Sequence, residues 1–259
     1  MTDESARQTV LFSDLLDKPV TATFDEPHSS SDGGAILLKT IDRRLALTET
    51  LASAMIDVRD DGKVRHTLHD LLAQRVYAIA CGYPDGNDAD ALAEDPIQKL
   101  LLGRDPVDGM RLASQPTISR FENRATRRAL LRLGEALAER VLTHHQRRLR
   151  GRARLITIDL DPTEDRTHGE QQLTLFNGHY RSWCYLPLLA FVTFDREEDQ
   201  HLVAALLRPG LAGATDGTLA LLARLVPWVR RLFPGARVRV RLDGGFASPV
   251  VFDLLETLA

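Results

Sequence analysis

The stretch RLITIDLDPTED, residues 154–165, decides the fold of the second half of the chain. It begins with apolar and β-branched residues, a composition that predicts a strand buried in a sheet. Side chains alternate between the two faces of a strand, so Asp159 and Asp161 share one face. Two aspartates at the end of so apolar a strand are costly unless they face solvent, pair with a cation or bind a metal ion. The alternative interpretation is an ordinary strand end, where aspartate is common.

A second strand with a similar ending lies in RVRVRLDGGF, residues 237–246. Val238 and Val240 alternate with arginines, Asp243 closes the strand, and two glycines follow that let the backbone turn sharply. A strand-to-helix corner with aspartate as turn former explains the same pattern. If the two strands are neighbours, their carboxylates converge at one end of the sheet. Such hard oxygen ligands suit Mg²⁺ or Mn²⁺, and two ions roughly 3.5–4 Å apart can hold the attacking and leaving oxygens of a phosphodiester.

The remaining segments after residue 150 predict an α/β domain. Residues 173–195 contain an Asn-Gly pair, Asn177-Gly178, between strand-like runs, which is a signal for a hairpin. Another strand is predicted in residues 201–210, and an amphipathic helix in residues 218–233 precedes the strand that ends at Asp243. Ser248 and Pro249 begin a further helix. The order is strand, strand, strand, helix, strand, helix.

The first half of the chain predicts helices instead. Apolar residues recur at three- and four-residue steps in residues 66–82, part of residues 88–102, residues 116–124 and residues 126–149. The segment SSDGGAILL predicts another helix start, with Ser30, Ser31 or Asp32 as its cap, and residues 20–25 predict a short strand. We therefore expect a mainly helical region over residues 1–150 and an α/β domain over residues 151–259.

Arginine is concentrated near the end of the helical half. Residues 124–154 hold ten arginines against two glutamates, although the net charge of the chain is only -3. Such a segment indicates a surface that faces a polyanion such as DNA, or else a solvated helix face. The short helix at residues 116–124 has the size and polarity to enter a DNA groove. The predicted DNA-binding residues are Arg120, Arg124, Arg127, Arg128, Arg147 and Arg148.

Several other classes of protein find no support in the sequence. Two isolated cysteines, Cys81 and Cys184, have no zinc spacing and suit a reducing compartment, so we expect a cytoplasmic protein. No apolar run reaches the ~18 residues of a membrane span, and the polar N-terminus is not a signal peptide. Nucleotide-binding, hydrolase and zinc-protease motifs are missing. His168 follows the first aspartates, where it could approach a metal site or position a phosphate; the alternative is a loop histidine on the polar surface.

The chain resembles bacterial insertion-sequence transposases of the DDE type, which have an RNase H-like fold. The likeness rests on several strings in order: SSDGGAILL, the helix DLLAQRVYAIACGYPDGNDADAL, PTISRFENR, IDLDPTEDRTHGEQQLTLFNGHY, CYLPLLAF, LLRPG and RLDGGFASP. The resemblance implies that Asp161, which precedes Pro162-Thr163 where the family has Asp-x-Thr, is the first catalytic carboxylate. Asp159 is the alternative, and Asp243 matches the second.

The resemblance also implies a function. The helical region would bind terminal inverted repeats, and the sheet domain would cut and join DNA strands with two divalent ions held by Asp161 and Asp243, in a homodimer within a transposition complex. The family's third carboxylate, a Glu on a late helix, has no match before Ala259; Glu256 lies too early. We therefore expect an incomplete RNase H-like sheet, truncated and inactive alone. A DNA-binding remnant that acts as a repressor and a metal-dependent nuclease are the alternatives.

Overall fold

The computed structural model describes residues 8–9, 21–22, 29–169 and 171–259. Within them the chain divides into two compact units, Met1–Leu133 and Gly134–Ala259, here called the helical unit and the sheet unit. The long helix α7, Arg127–Arg148, contributes to both. The boundary between the two units falls inside this helix, between Leu133 and Gly134. The roles expected for residues 1–150, DNA binding, and for residues 151–259, catalysis, remain predictions.

The helical unit contains six helices of its own in its described part. They are α1 Ile36–Leu45, α2 Leu47–Ser53, α3 Leu68–Ala80, α4 Asp88–Leu92, α5 Pro96–Leu101 and α6 Gln115–Asn123. The single helix expected over part of residues 88–102 is two, because the Asp95 carboxylate caps α5 and Pro96 begins it. Two short strands, β1 Gln8–Thr9 and β2 Thr21–Ala22, pair antiparallel; the rest of the strand predicted in residues 20–25 lies outside the described residues.

Side-chain caps mark the starts of two helices of this unit, α3 and α5. Thr67 and Asp70 form a reciprocal capping box at the start of α3. Asp32, by contrast, makes no capping hydrogen bond at the first turn. Its carboxylate instead accepts hydrogen bonds from Gln98 Nε2 at 2.8 Å and from the Tyr83 hydroxyl at 3.3 Å. Asp32 therefore ties this turn to α5 rather than capping a helix.

A buried glutamine positions the segment that leads into α6. Gln74, on α3, is 3% exposed, donates from Nε2 to the Ala113 carbonyl at 2.8 Å and accepts from the Ala113 N–H at 3.0 Å. The backbone of Ala113 is thus satisfied inside the unit, as burial requires. Ile118, one turn into α6, packs with Leu71 and Ala113 in a small apolar cluster. The outer face of α6 is consequently held in one orientation.

The sheet unit is built on a four-stranded mixed sheet. Its strands are β3 Leu155–Pro162, β7 Leu188–Phe194, β8 His201–Leu206 and β9 Arg237–Arg241, in the spatial order β8-β7-β3-β9. β7 is antiparallel to both β3 and β8, whereas β9 is parallel to β3. A parallel strand needs a crossover connection, and the helix α8, Thr218–Leu232, lies between β8 and β9 in the chain. The expected α/β class with a mixed sheet and flanking helices is confirmed.

One face of this sheet carries the core. Ile156, Ile158 and Leu160 are at most 3% exposed and pair in register with Phe194, Val192 and Ala190 of β7. The same cluster takes in Leu222, Leu225 and Val229 at the three- and four-residue steps of α8. The opposite face of β3, with Thr157, Asp159 and Asp161, is left for polar side chains. The helix α9, Pro249–Thr257, adds the buried Val251 on its inner side.

A small second sheet is inserted between β3 and β7. It consists of β4 Asp165–Arg166, β6 Ser182–Tyr185 and β5 Leu175–Asn177, in that spatial order. The hairpin predicted at Asn177-Gly178 is present, but its loop runs from 178 to 181 and positive φ falls on Arg181 rather than Gly178. Asn177 Oδ1 accepts the N–H of His179 at 2.9 Å, which makes an Asx turn. The side-chain amide of Asn177, rather than a two-residue turn, shapes the loop.

A histidine fastens the end of α7 to the sheet. The His145 ring stacks on Phe194 at 4.8 Å between centroids and lies 3.9 Å from the His201 ring. Its Nδ1 accepts a hydrogen bond from Arg148 Nε at 3.1 Å, and the Arg148 guanidinium also binds both carboxylate oxygens of Glu197. This arrangement requires a neutral imidazole. Burial, with the charges of His201, Arg148 and His144 as lesser causes, lowers the pKa of His145 to about 4.

We expect acid to destabilise the sheet unit through His145. Between its ordinary pKa of 6.5 and its folded value of about 4, the unfolded chain binds the proton and the folded chain does not. The free energy of unfolding therefore falls as the pH drops through this window, by up to about 3 kcal/mol. His145→Gln, which keeps an acceptor for Arg148 but cannot titrate, should lose less stability in urea denaturation between pH 7 and pH 4.5. His168→Gln, in an exposed loop, is the matched control, and equal pH dependence in all three proteins would contradict the assignment.

Candidate active site

The two strands associated with the predicted aspartates are neighbours in the sheet, although β9 ends at Arg241 and Asp243 follows two residues later rather than closing the strand. β3 and β9 run parallel, with Ile158 opposite Val240 and Asp159 opposite Arg241. Because parallel strands end at the same edge of a sheet, the segments that follow them leave from one place. The paired register ends at Asp159 and Arg241, and Asp161 and Asp243 each lie two residues beyond that last pair. The backbone therefore brings both aspartates to the same edge of the sheet.

Asp161 is the more accessible of the two aspartates on β3. It pairs in register with Leu189 of β7, it is exposed, and its carboxylate makes no hydrogen bond or ion pair to the described residues. It lies on the same face as Asp159, one pleat nearer the carboxyl end of the strand. Both of its oxygens are thus open to solvent or to a bound cation.

Asp243 is held in place by the turn that follows it. Its Oδ1 accepts the N–H of Gly245 at 2.8 Å, which caps the short 3-10 turn Gly244–Phe246. Phe246, 1% exposed, anchors that turn in the core. A Cβ on Gly245 would lie 3.0 Å from this same oxygen, so a side chain there would crowd the carboxylate. One oxygen of Asp243 is used for orientation, and the other is left for a ligand.

Asp159 has a different environment. It is 9% exposed, and its Oδ1 accepts a hydrogen bond from Nε of Arg241 across the β3–β9 pair. Its Oδ2 is buried and has no hydrogen-bond partner within the described residues. A buried carboxylate with an unsatisfied oxygen is costly, and the guanidinium is what compensates its charge. Asp159 is therefore first of all the partner of Arg241.

The residues at this edge fit a divalent cation through a pair of carboxylates. Asp161 and Asp243 offer oxygen donors only, the set that Mg²⁺ and Mn²⁺ prefer. In the ranges that the structure describes, no three His, Cys, Asp or Glu side chains are placed together to hold a metal ion. His168 is exposed, and the structure does not bring it into a group with these aspartates. Mg²⁺ commonly keeps several waters and uses one or two carboxylates, so a pair suffices for a first contact.

The predicted DNA-binding arginines fall into two groups. Arg120 and Arg124 lie on and just after α6, with Arg127 and Arg128 at the start of α7, and all four are exposed. Arg120 is steadied by a 3.2 Å hydrogen bond to the Thr117 hydroxyl. Arg120, Arg124 and Arg132 also line a cavity of about 290 Å³, together with apolar residues that include Met55, Ile56, Leu68, Leu71 and Phe121.

The second group lies at the end of α7, in the sheet unit. Arg147 is exposed. Arg148 has its two terminal nitrogens on Glu197 at 2.8 and 2.7 Å, and its Nε on His145. A DNA contact from Arg148 would require this ion pair to open. The exposed arginines of the helical unit are therefore better candidates for contact with DNA than Arg148.

One functional candidate escaped sequence reasoning. Arg241 appeared only as an arginine that alternates with valine, while the structure pairs it with Asp159. The signal was present, since three arginines at every second position share one face of a strand. The sequence does not predict that Asp159 is its partner, because the register between β3 and β9 depends on packing.

A domain with a mixed sheet in this order and two acidic strand ends side by side has the architecture of an RNase H-like domain. The family model described as Transposase DDE domain group 1 matches residues 12–258, and the chain therefore belongs to this DDE transposase family. Neither the curated proteins nor the solved structures yield a match. The family implies DNA binding and is in general dependent on divalent metal ions. No helix among the described residues is long and apolar enough to cross a membrane.

We expect Arg241→Gln to lower the thermal midpoint of unfolding, since it leaves the Asp159 carboxylate buried without a cation. Asp159→Asn added to it removes the charge and should restore part of the loss. The pair of single variants and the double variant form a cycle that isolates the interaction. Arg239→Gln, the neighbouring arginine that faces Thr157, serves as the matched control. If Arg241→Gln melts at the temperature of the Arg239 control, the ion pair does not stabilise the fold.

Proposed function

We propose that this protein is a DNA-cleaving and DNA-joining transposase whose site lies at the carboxyl ends of β3 and β9. Membership of the family supports the reaction class. The observation that supports the location is the parallel pairing of β3 with β9, which brings the segments that carry the exposed Asp161 and the oriented Asp243 to one edge of the sheet. Asp159 is the alternative first carboxylate, but its engagement with Arg241 favours Asp161.

Asp161 and Asp243 are proposed to hold two divalent ions, Mg²⁺ or Mn²⁺. Bound there, such ions activate the attacking oxygen and stabilise the leaving oxygen of a phosphodiester. The protein's part is to fix the two carboxylates. β3 sets the direction of Asp161 by strand alternation, and the Gly245 N–H holds Asp243 through one oxygen. The sheet fixes the backbone from which Asp161 projects, and the hydrogen bond from Gly245 orients the Asp243 carboxylate in advance of the reaction.

DNA is proposed to bind through the helical unit. α6 presents Thr117, Arg120 and Arg124 outward while Ile118 is buried, so its exposed side has the polarity of a helix that enters a DNA groove. Arg127 and Arg128 continue the basic surface at the start of α7. The sites expected are the terminal inverted repeats and then target DNA, with two copies of the chain in a transposition complex. Arginine–phosphate contacts of this kind give affinity, and contacts to base edges give specificity.

Manganese binding tests the two carboxylates without any need for catalysis. Wild-type protein should bind Mn²⁺ in electron paramagnetic resonance titrations, and Asp161→Asn or Asp243→Asn should weaken binding by about tenfold or more, since each removes a charged ligand. DNA affinity in the absence of metal should be nearly unchanged in both variants. Asp253→Asn, on α9 and exposed, is the matched control. Undiminished Mn²⁺ binding in the Asp161 variant would transfer the role to Asp159 or refute the site.

Salt dependence tests the DNA surface. Fluorescence anisotropy with duplex DNA of the terminal repeats should show affinity falling steeply between about 50 and 200 mM salt, because each arginine that contacts a phosphate releases counterions. Arg120→Gln or Arg124→Gln should reduce the slope of log affinity against log salt by about one each. Arg65→Gln, exposed elsewhere in the same unit, should leave the slope as it is. A flat salt response in the wild type would argue against this surface.

A further inference from the structure

Three arginines form a row on the strand that leads to Asp243. Arg237, Arg239 and Arg241 alternate along β9 with the half-buried Val238 and Val240, and all three arginines are exposed. β9 is an edge strand of the four-stranded sheet in the described part of the chain. Alternate residues of a strand lie about 6–7 Å apart on one face. The row therefore presents three evenly spaced cations that run toward the candidate active site.

Two of these cations, Arg237 and Arg239, are not paired with any residue that the structure describes. Within the described residues the side chains of Arg237 and Arg239 make no ion pair or hydrogen bond, and they face the Leu155 and Thr157 positions of β3. Arg237 and Arg239 therefore add no ion pair to the stability of the sheet, whereas Arg241 compensates the charge of Asp159. A row of exposed cations of this kind is suited to an anionic partner.

Arg241 is prepared differently from the other two. Its Nε donates to Asp159, which fixes the plane of the guanidinium, while its terminal nitrogens have no partner within the described residues. The side chain remains 63% exposed. A guanidinium held at one edge and open at the other is pre-organised for two-pronged binding of phosphate oxygens. It is the last residue of β9, two residues before Asp243 in the chain.

We propose that Arg237, Arg239 and Arg241 form a phosphate track that holds the DNA strand next to the bond to be cut. This inference rests on the proposed function, because it assumes that DNA reaches Asp161 and Asp243. The occupant is the sugar-phosphate backbone: the row is cationic and evenly spaced, and it offers no donor pattern for base edges. Asp159 is a positioning residue in this arrangement, acting through Arg241.

The experiment uses the full chain and duplex DNA of the terminal repeats in EDTA, so that binding is measured without cleavage. Arg237→Gln, Arg239→Gln and Arg241→Gln should each weaken binding several-fold and reduce the salt slope by about one. Arg231→Gln is the matched control, an exposed arginine of α8 with the same change of charge. Asp159→Ala, which removes the acceptor that holds Nε of Arg241, should also weaken binding. This sign is diagnostic, because removal of a negative charge alone would strengthen it.

A second measurement locates the contact. Single backbone phosphates of the DNA are replaced by neutral methylphosphonates, one position at a time. Each arginine variant should become insensitive to replacement at one phosphate, and the phosphate for Arg241 should lie nearest the cleavage point. Such pairwise silencing is the signature of a direct contact, which a general loss of charge or stability does not produce.

Each outcome decides between the two proposals. If wild-type protein binds DNA with a steep salt slope but the three variants behave as Arg231→Gln, the track is refuted and the proposed function stands. Weaker binding with no silenced phosphate, or a change in self-association instead of DNA affinity, also overturns the track. Absence of any DNA binding by the wild type overturns both. If Arg241→Gln fails to fold, Arg237→Gln and Arg239→Gln still test the row, since neither arginine pairs with a carboxylate.

Discussion

The parallel pairing of β3 with β9 is the constraint on which the rest of the sheet unit depends. These strands are separated by some eighty residues, and their hydrogen-bonded register brings Asp159 beside Arg241, with Asp161 and Asp243 each two residues farther along the chain. A slip of one residue would turn Ile156 and Ile158 away from the core and the aspartates into it. The buried apolar face therefore enforces the register, and the register in turn places the chemistry. Packing on one face of the sheet thus determines the positions of the carboxylates on the opposite face.

The polar face of the sheet carries an electrostatic cost that the same register offsets. A carboxylate 9% exposed is tolerated at Asp159 only because a guanidinium stands opposite it on the neighbouring strand. The pairing also lowers the repulsion between Asp159 and Asp161, which share a face one pleat apart. With one aspartate neutralised by arginine, the other is left accessible at the end of the strand. The two aspartates have different environments because they differ in burial.

In the helical unit, a comparable role belongs to the buried Gln74. Its two hydrogen bonds to Ala113 fix the backbone immediately before α6, and the Asp32–Gln98 and Asp32–Tyr83 contacts tie the first turn of the unit to its later helices. α6 is short and would not hold its shape alone, since a helix of nine residues is marginal in water. Arg120 on α6 and Arg124 just after it are exposed while Ile118 is buried in the interior. The tertiary contacts of the unit therefore hold this short helix and its arginine in place.

The sequence by itself determined the α/β class, the helical first half and the acidic ends of two strands, because these follow from local periodicity and turn chemistry. The strings shared with DDE transposases determined the family. Tertiary structure alone decided that β3 and β9 are neighbours and that Asp159 meets Arg241. It also decided that Arg148 is engaged by Glu197 and that the Asn177 loop spans four residues. These are pairings between residues far apart in the chain or choices among several turns of similar local propensity. Their energies depend on which apolar faces bury each other, and that is a property of the packed core rather than of any one segment.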